Sequence, residues 1–422
     1  MNNEFDLLII GGGMVGASLA HALNHSGLRV GLIEAVPLHD GSQPSYDTRA
    51  IALSWGSRRI FEGIGLWEAM VQEGITPIHT IRVSDRGHFG AARMEAAEEG
   101  VEALGYVAEA AVIGRTVAPG LAELPNTELF CPARLTDITI DETAARVSIE
   151  HEGSVRELTA RLVVAADGGR STVRERLGAR TFSLGYGQTA VIASVESERP
   201  HANVAYERFT ESGPLALLPN TAPSWMAGAE AGDRRWSLVW TVHDHEVEEH
   251  LALDDAAFIE RLQQRLGRRA GRLRSVSPRS AYPLGLQYVR DHVRQRLVFI
   301  GNAAHLIHPV GGQGFNLGLR DVAVLAEVLA GAARQGDDPG SMETLRGYAR
   351  WRRSDYLRVM GFTDGLARTF SNDFLPLVVA RNIGMVAMDL LPPARRLFTR
   401  QAMGVNGRQP RLALGLPLVT NE

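Results

Sequence analysis

The sequence has no lysine: all 44 of its basic residues are arginine. Schiff-base chemistry and any other mechanism built on a catalytic lysine are therefore excluded. Cysteine occurs once, at Cys131, which rules out an intramolecular disulfide, a cysteine-bound metal cluster and a C-x-x-C redox pair. A lone cysteine of this kind reads as a small buried side chain. Long apolar runs are missing too. Leu375 to Leu391 comes nearest to a membrane span, and Arg381, Asn382 and Asp389 interrupt it. The first strand-like segment begins at Phe5, which leaves no room for a signal peptide and leads to the expectation of a cytoplasmic protein. A strong charge of one sign is also absent. The formal net charge is −4, so nucleic acid is not an expected partner.

What the chain does have is length and apolar content: 422 residues, 45% hydrophobic, which suits two domains with a large core. Phe5 to Ile10 is a short apolar run of the kind found in buried parallel strands. Gly11-Gly12-Gly13-Met14-Val15-Gly16 follows at once, and Ala17 to Leu23 reads as a helix. This is G-x-G-x-x-G after a strand and at the start of a helix, the context that makes it a dinucleotide fingerprint. Gly11 suits the tight turn, Gly13 the approach of pyrophosphate, and Gly16 close packing of helix on strand. A second strand, Arg29 to Ile33, ends at Glu34, placed to accept hydrogen bonds from a ribose diol.

Three further elements add to this one. Tyr46 to Leu53 reads Tyr-Asp-Thr-Arg-Ala-Ile-Ala-Leu, with Arg49 at its centre. Leu162 to Ala166 is an apolar strand leading into Asp167-Gly168-Gly169-Arg170-Ser171-Thr172-Val173-Arg174. Leu297 to Ile300 is another, leading into Gly301-Asn302-Ala303-Ala304-His305 and then His308-Pro309-Val310-Gly311-Gly312-Gln313-Gly314-Phe315-Asn316. A helix is expected to start near Gly314, with Leu317, Val322 and Leu325 apolar. Its N-terminus would aim backbone N–H groups and the positive end of its dipole at one point. Gly311, Gly312 and Gly314 let a flat ligand come close to the backbone.

Together, in this order, these elements resemble the flavin-dependent aromatic hydroxylases of the para-hydroxybenzoate-hydroxylase type. The matching motifs are D-x-R-A-x-A-L, D-G-x-x-S-x-x-R, and G-D-A-A-H followed by H-P-x-x-G-Q-G-x-N. The resemblance spans most of the chain and implies FAD, held by Gly11, Gly13, Gly16, Glu34, Arg49, Asp167, Gly301, Asn302, Pro309, Gly311, Gly312, Gly314, Phe315 and Asn316. Asn302 stands where the family usually carries an acid; an amide can both accept and donate there. This Gly-Asn variant resembles the ubiquinone-biosynthesis branch. So do Val83 to His88, Glu207 to Thr210, Gly213 to Ala216 and Pro376 to Gly384.

The implied fold is α/β. A three-layer Rossmann-like FAD-binding domain (1–74, 100–178 and 290–340) would carry an inserted, mainly antiparallel substrate sheet (75–99 and 179–289) and a helical C-terminal region (341–422). Asp254 to Leu266 reads as a helix with Phe258, Leu262 and Leu266 on one face. The implied chemistry is hydroxylation of a polyprenyl-methoxyphenol ring through a flavin hydroperoxide, with molecular oxygen as co-substrate and NAD(P)H as reductant. Only one dinucleotide fingerprint is present, and FAD occupies it. The implied partners are a hydrophobic prenylated phenol, the inner membrane surface and other ubiquinone-pathway proteins.

Individual residues carry less. His308, beside Pro309, is a candidate for deprotonating the phenol. His305 and His308 are too few for a metal site, so no metal is expected. Trp225, Trp240 and Tyr282 are candidate linings for a prenyl channel, as are Trp236 and Leu284, and all five fit the core of a sheet equally well. Arg395, Arg396, Arg400, Arg408 and Arg411 lie in an acid-free stretch with Leu397, Phe398 and Met403, a composition suited either to anionic lipid or to a solvated end. Two other functional classes stay open: a flavin-dependent reductase or dehydrogenase, which shares the early motifs, and a non-enzymatic prenyl-binding carrier on the same fold.

Overall fold

The apolar run near the N-terminus becomes the strand Glu4–Ile10, buried from Leu7 onward. It pairs in parallel with Ser154–Ala165 on one side and Val30–Ile33 on the other. Leu297–Phe299 and Thr127–Phe130 extend the sheet outward. The computed structural model describes residues 4–38, 43–221, 232–370 and 374–418. Strand period two splits the first strand between two cores. Leu7 and Ile9 join the helices Met14–Ala22 and Gln313–Gln335, through Ala17, Leu19, Leu319 and Val322. Leu8 and Ile10 face an antiparallel meander, Ala133–Ile140 and Ala145–His151, through Ile138, Val147 and Ile149.

A second sheet, of nine strands among the described residues, is mainly antiparallel. Its order begins His305–Leu306, Ser280–Val289, Thr181–Ser197, Arg235–His243, and continues Gly213–Pro219, Val204–Thr210, Thr80–Asp85, Ala91–Glu95. The edge strand His305–Leu306 comes from the late glycine-rich motif, so that motif touches both sheets. A small third sheet joins Ala50–Ser54, Gly105–Glu109 and Thr76–Ile78. C-terminally, the helices Met342–Phe370, Leu375–Leu390 and Pro392–Ala402 follow the strand-rich part of the chain. The expected α/β fold with an antiparallel insert and a helical end is the one observed.

Two of the tryptophan candidates, Trp236 and Trp240, lie on the wrong face of the second sheet to line a channel. Trp236, Leu238, Trp240 and Val242 are fully buried against the helix Asp255–Leu266, which contributes Phe258, Leu262 and Leu266. Asp254 caps that helix by accepting the Ala257 N–H at 2.8 Å. Trp240 meets Phe258 edge-on at 5.7 Å. The alternate residues, Val239 and Thr241, face the cavity instead. A strand buried on both faces shows no polar–apolar alternation, so its sequence does not reveal which parity points where. Tyr282 lies under the Arg49 guanidinium at 5.0 Å, off the cavity lining, from which Leu284 is also absent. Trp225 lies outside the described residues.

Trp240 is therefore expected to act as core. Trp240→Ala should cost about 3–5 kcal/mol of stability, read as a lower urea midpoint. A midpoint unchanged from wild type would show that the side chain is not packed as described.

Candidate flavin site

Gly11 adopts φ +104°, where an added Cβ would stand 2.6 Å from the Ala166 carbonyl oxygen. At Gly16 a Cβ would meet the Gly11 carbonyl at 1.9 Å, so the helix can lie this close to the strand only with glycine there. Glu34 reaches across the turn. One carboxylate oxygen accepts the Gly12 N–H at 2.6 Å and the other the Val36 N–H at 2.8 Å. Gly13 begins the helix Met14–Ala22 with no side chain capping it and no acid in the first turn. The first N–H groups of that helix are thus left for an anionic ligand.

The Asp167 loop leans on the same strand ends. Asp167 accepts the Val173 N–H at 3.1 Å with one oxygen, while its other oxygen is buried without a partner among the described residues. Burial pushes its carboxyl above the ordinary value, against hydrogen bonds from Ser171 and backbone amides. Ser171 caps the short helix Thr172–Arg176. Arg174 donates to the Gly169 and Ala303 carbonyls and so ties this loop to the late motif.

In the late motif, Gly311 and Gly312 take left-handed φ of +66° and +65°. A Cβ on Gly312 would meet that of Ala52 at 2.8 Å. Gly312 opens the helix Gln313–Gln335, again with no side-chain cap and no acid in its first turn. Asn316 spends all its capacity on protein. It accepts the Ser54 N–H and the Ser57 hydroxyl, and donates to the Ala52 and Gly312 carbonyls. It is a clamp that holds the strand Ala50–Ser54 against the helix start. Phe315 stacks on Phe61 at 6.4 Å. Arg49 pairs with Asp47 at 2.6 Å.

A cavity of about 700 Å³ gathers these pieces. Gly13, Arg49, Gly301, Asn302, Pro309, Gly311, Gly312, Gly314, Phe315 and Asn316 line it. Gly11, Gly16, Glu34 and Asp167 stand behind the lining and shape its loops. Two uncapped helix starts, glycines where side chains would collide with backbone, and an unpartnered buried Asp167 oxygen fit a bound dinucleotide. Beyond the loops the cavity runs on over an apolar floor of Ile81, Val83, Ala205, Phe209, Ala216 and Leu218, and under Phe362, Phe370, Met385, Met388 and Phe398.

Sequence reasoning assigned no role to three sets of residues. The C-terminal roof lies far from the motifs in sequence, so no local signal marks it. Glu207, on the strand Val204–Thr210, lines the cavity; an acid inside a strand-like run was the available cue. The third is Asp321, fully buried in the long helix. It accepts hydrogen bonds from the Gly301 N–H at 3.0 Å, His305 Nε2 at 2.7 Å, Arg352 Nε at 2.8 Å and the Tyr356 hydroxyl at 2.7 Å. Burial alone would push this carboxyl up, but Arg352, His305 and Tyr356 hold it well below the usual carboxylate range.

His308 is fully buried, accepts the Val310 N–H at 3.3 Å, meets Tyr186 edge-on at 5.2 Å and is absent from the cavity lining. Its Nε2 has no partner among the described residues. Burial pushes it down to about 4.

The sequence model of the FAD binding domain family matches residues 4–356. The chain belongs to that family, and FAD is its cofactor. It is similar to ubiquinone hydroxylase UbiL of Rhodospirillum rubrum, 41% identical over 98% of this chain and 93% of the relative. An uncharacterized protein of Synechocystis is 38% identical over 99% of this chain and 98% of its own length. Among solved structures, p-nitrophenol 4-monooxygenase PnpA from Pseudomonas putida DLL-E4 shares the fold, with a TM-score of 0.77 at 20% identity over 97% of this chain and 100% of that one.

The buried histidines set a pH dependence. His292, like His308, is pushed down to about 4 by burial, whereas both titrate near 6.5 when unfolded. Between these values the unfolded chain binds protons that the native protein refuses. Stability should therefore fall as pH drops from about 6.5 to about 4, by up to about 1.4 kcal/mol per pH unit per group. His308→Gln should flatten that decline in urea unfolding. An unaltered slope would mean His308 protonates freely in the native state.

Proposed function

We propose that the chain is an FAD-dependent monooxygenase that hydroxylates the aromatic ring of a polyprenyl-methoxyphenol on the ubiquinone pathway. The observation that carries this reading is the union, in one cavity, of the glycine-rich flavin cradle with a long apolar floor and roof. The similarity to a ubiquinone hydroxylase supports it. When bound, FAD supplies the activation of molecular oxygen, and a reduced nicotinamide is the electron donor. The chain's own part is to hold, orient and exclude. The helix start at Gly312 offers N–H groups and a positive dipole end to developing negative charge. The apolar walls keep water from the reacting ring. The sheet floor fixes the ring relative to the cradle, where misplacement by about an ångström is costly.

Purified protein should be yellow. With NADH or NADPH, oxygen and a short-chain prenyl-methoxyphenol, it should release product one oxygen heavier, with the label from ¹⁸O₂. Colourless protein would remove the flavin reading. A yellow protein that oxidises the nicotinamide without labelled product would favour a reductase.

Membrane lipid is the natural source of such a substrate, and the C-terminal helices supply a face for it. The exposed positions of Leu375–Leu390 are Leu375, Pro376, Val379, Ala380, Ile383, Gly384 and Leu390, all apolar or glycine. The polar residues of this helix turn inward. Arg381 and Asn382 bond to Asp85 at 2.9 and 2.8 Å, and Asp389 accepts the Arg93 N–H at 3.1 Å. Leu391, Leu397, Arg396 and Arg400 continue the exposed face with cations that suit anionic headgroups. Among the described residues no single helix is long and apolar enough to cross a membrane. This geometry supports a protein lying on the inner membrane surface, with its roof helices between lipid and cavity. Ile383→Glu with Leu390→Glu should weaken binding to anionic vesicles about tenfold or more, whereas Val155→Glu, at an exposed apolar site on the strand Ser154–Ala165, should not. Equal binding by all three proteins would remove the surface.

A further inference from the structure

Glu207 is the only carboxylic acid among the described residues that line the cavity. Its strand presents Ala205 and Phe209 beside it on the same face, and the neighbouring strands place Val83 and Ala216 opposite it. An acid in such surroundings is costly, and an apolar side chain would be the neutral choice. No cation pairs with it among the described residues. The other charged groups of the lining are Arg49, paired with Asp47, and Arg381, paired with Asp85. The backbone of Gly311, in the flavin cradle, favours the ionised carboxylate against the effect of burial. Among the described residues no side chain pairs with the acid. The acid therefore stands where the cradle meets the apolar pocket, with acceptor capacity to spare.

We propose that Glu207 receives the ring hydroxyl of the substrate, accepting its hydrogen bond and then its proton. The proton passes from the phenol oxygen to a Glu207 carboxylate oxygen. The O–H electron pair stays on the ring oxygen and raises electron density at the ortho and para carbons, where an electrophilic oxygen donor attacks. Burial pushes the Glu207 carboxyl up to about 7, with the Gly311 N–H pulling the other way, so its basicity is closer to that of a phenol than an ordinary carboxylate's. His308, buried behind the loop, cannot take this part without leaving its packed position. The inference rests on the phenol-hydroxylase reading.

The test is calorimetric binding of a short-chain 2-prenylphenol, and of its methyl ether, to the FAD-loaded protein between about pH 5.5 and 8.5. In the wild type, affinity for the phenol should rise about tenfold as pH passes about 7 and the carboxylate forms, while the ether shows no such rise. Glu207→Gln should bind the phenol about tenfold more weakly at the high-pH end, with a flat pH profile and lower kcat. Glu207→Asp should restore a pH-dependent rise with a moved midpoint. Phenol affinity and pH profile unchanged in Glu207→Gln would overturn the proposal. So would loss of FAD with the phenol profile intact in the FAD-saturated variant, which would leave Glu207 as a support for the Gly311 loop. Should the wild type hydroxylate the phenol and still bind phenol and ether alike, the inference fails while the hydroxylase reading stands.

Discussion

Four donors converge on the carboxylate of Asp321, and the geometry of the flavin site depends on their doing so. Gly301 begins the turn after the last parallel strand, His305 lies on the edge of the antiparallel sheet, and Arg352 and Tyr356 come from the C-terminal helix. Asp321 itself sits two turns into the helix whose first residues face the cavity. One buried charge thus fixes the late motif against both sheets and against the tail. Arg352 also reaches Asp355, which holds Arg320 at 2.8 Å, so the network continues along the helix pair. Breaking a buried pair of this kind costs about 3–5 kcal/mol, because the remaining charge cannot reach water.

Around that fixed point the site divides its labour by backbone and side chain. The cradle is made of backbone: glycines that permit close approach, and two helix starts left uncapped. Side chains hold that cradle in shape, among them Glu34 and Asn316, which the sequence marks as candidate ligand contacts. Glu34 ties down Gly12 and Val36, Asn316 clamps Ala52 and Ser54, and Arg174 joins two loops. Beyond the cradle the cavity is lined by side chains, most of them apolar, with Glu207 the one acid among the described residues. The roof helix Leu375–Leu390 is apolar on its exposed side and polar toward the protein, the reverse of an ordinary surface helix. Arg381, Asn382 and Asp389, which break up the hydrophobic run in sequence, make that arrangement affordable by spending their polarity inward.

Legibility followed the range of the interactions involved. The glycine motifs were readable because each depends on neighbours a few residues away: a turn needs Gly11, a close crossing needs Gly16, an open helix start needs Gly312. The helix Asp255–Leu266 was readable from the spacing of Phe258, Leu262 and Leu266 and from Asp254 before it. Trp236 and Trp240 were not assignable to a face, because both sides of their strand are covered and apolar. His308 looked available beside Pro309, yet packing against Tyr186 closes it in.

The sequence by itself determined the strand–loop–helix units of a dinucleotide cradle, since these rest on backbone conformations that only certain residues allow at fixed spacings, and the resemblance of its motifs implied FAD and the family. Tertiary structure decided which face of each strand the cavity sees, that Glu207 rather than His308 looks into it, and that the tail roofs it. Those outcomes depend on contacts between segments hundreds of residues apart, such as Asp85 with Arg381 and Gly90 with Asn382. No local pattern encodes such pairings, because each partner is an ordinary polar residue until the fold brings the other beside it.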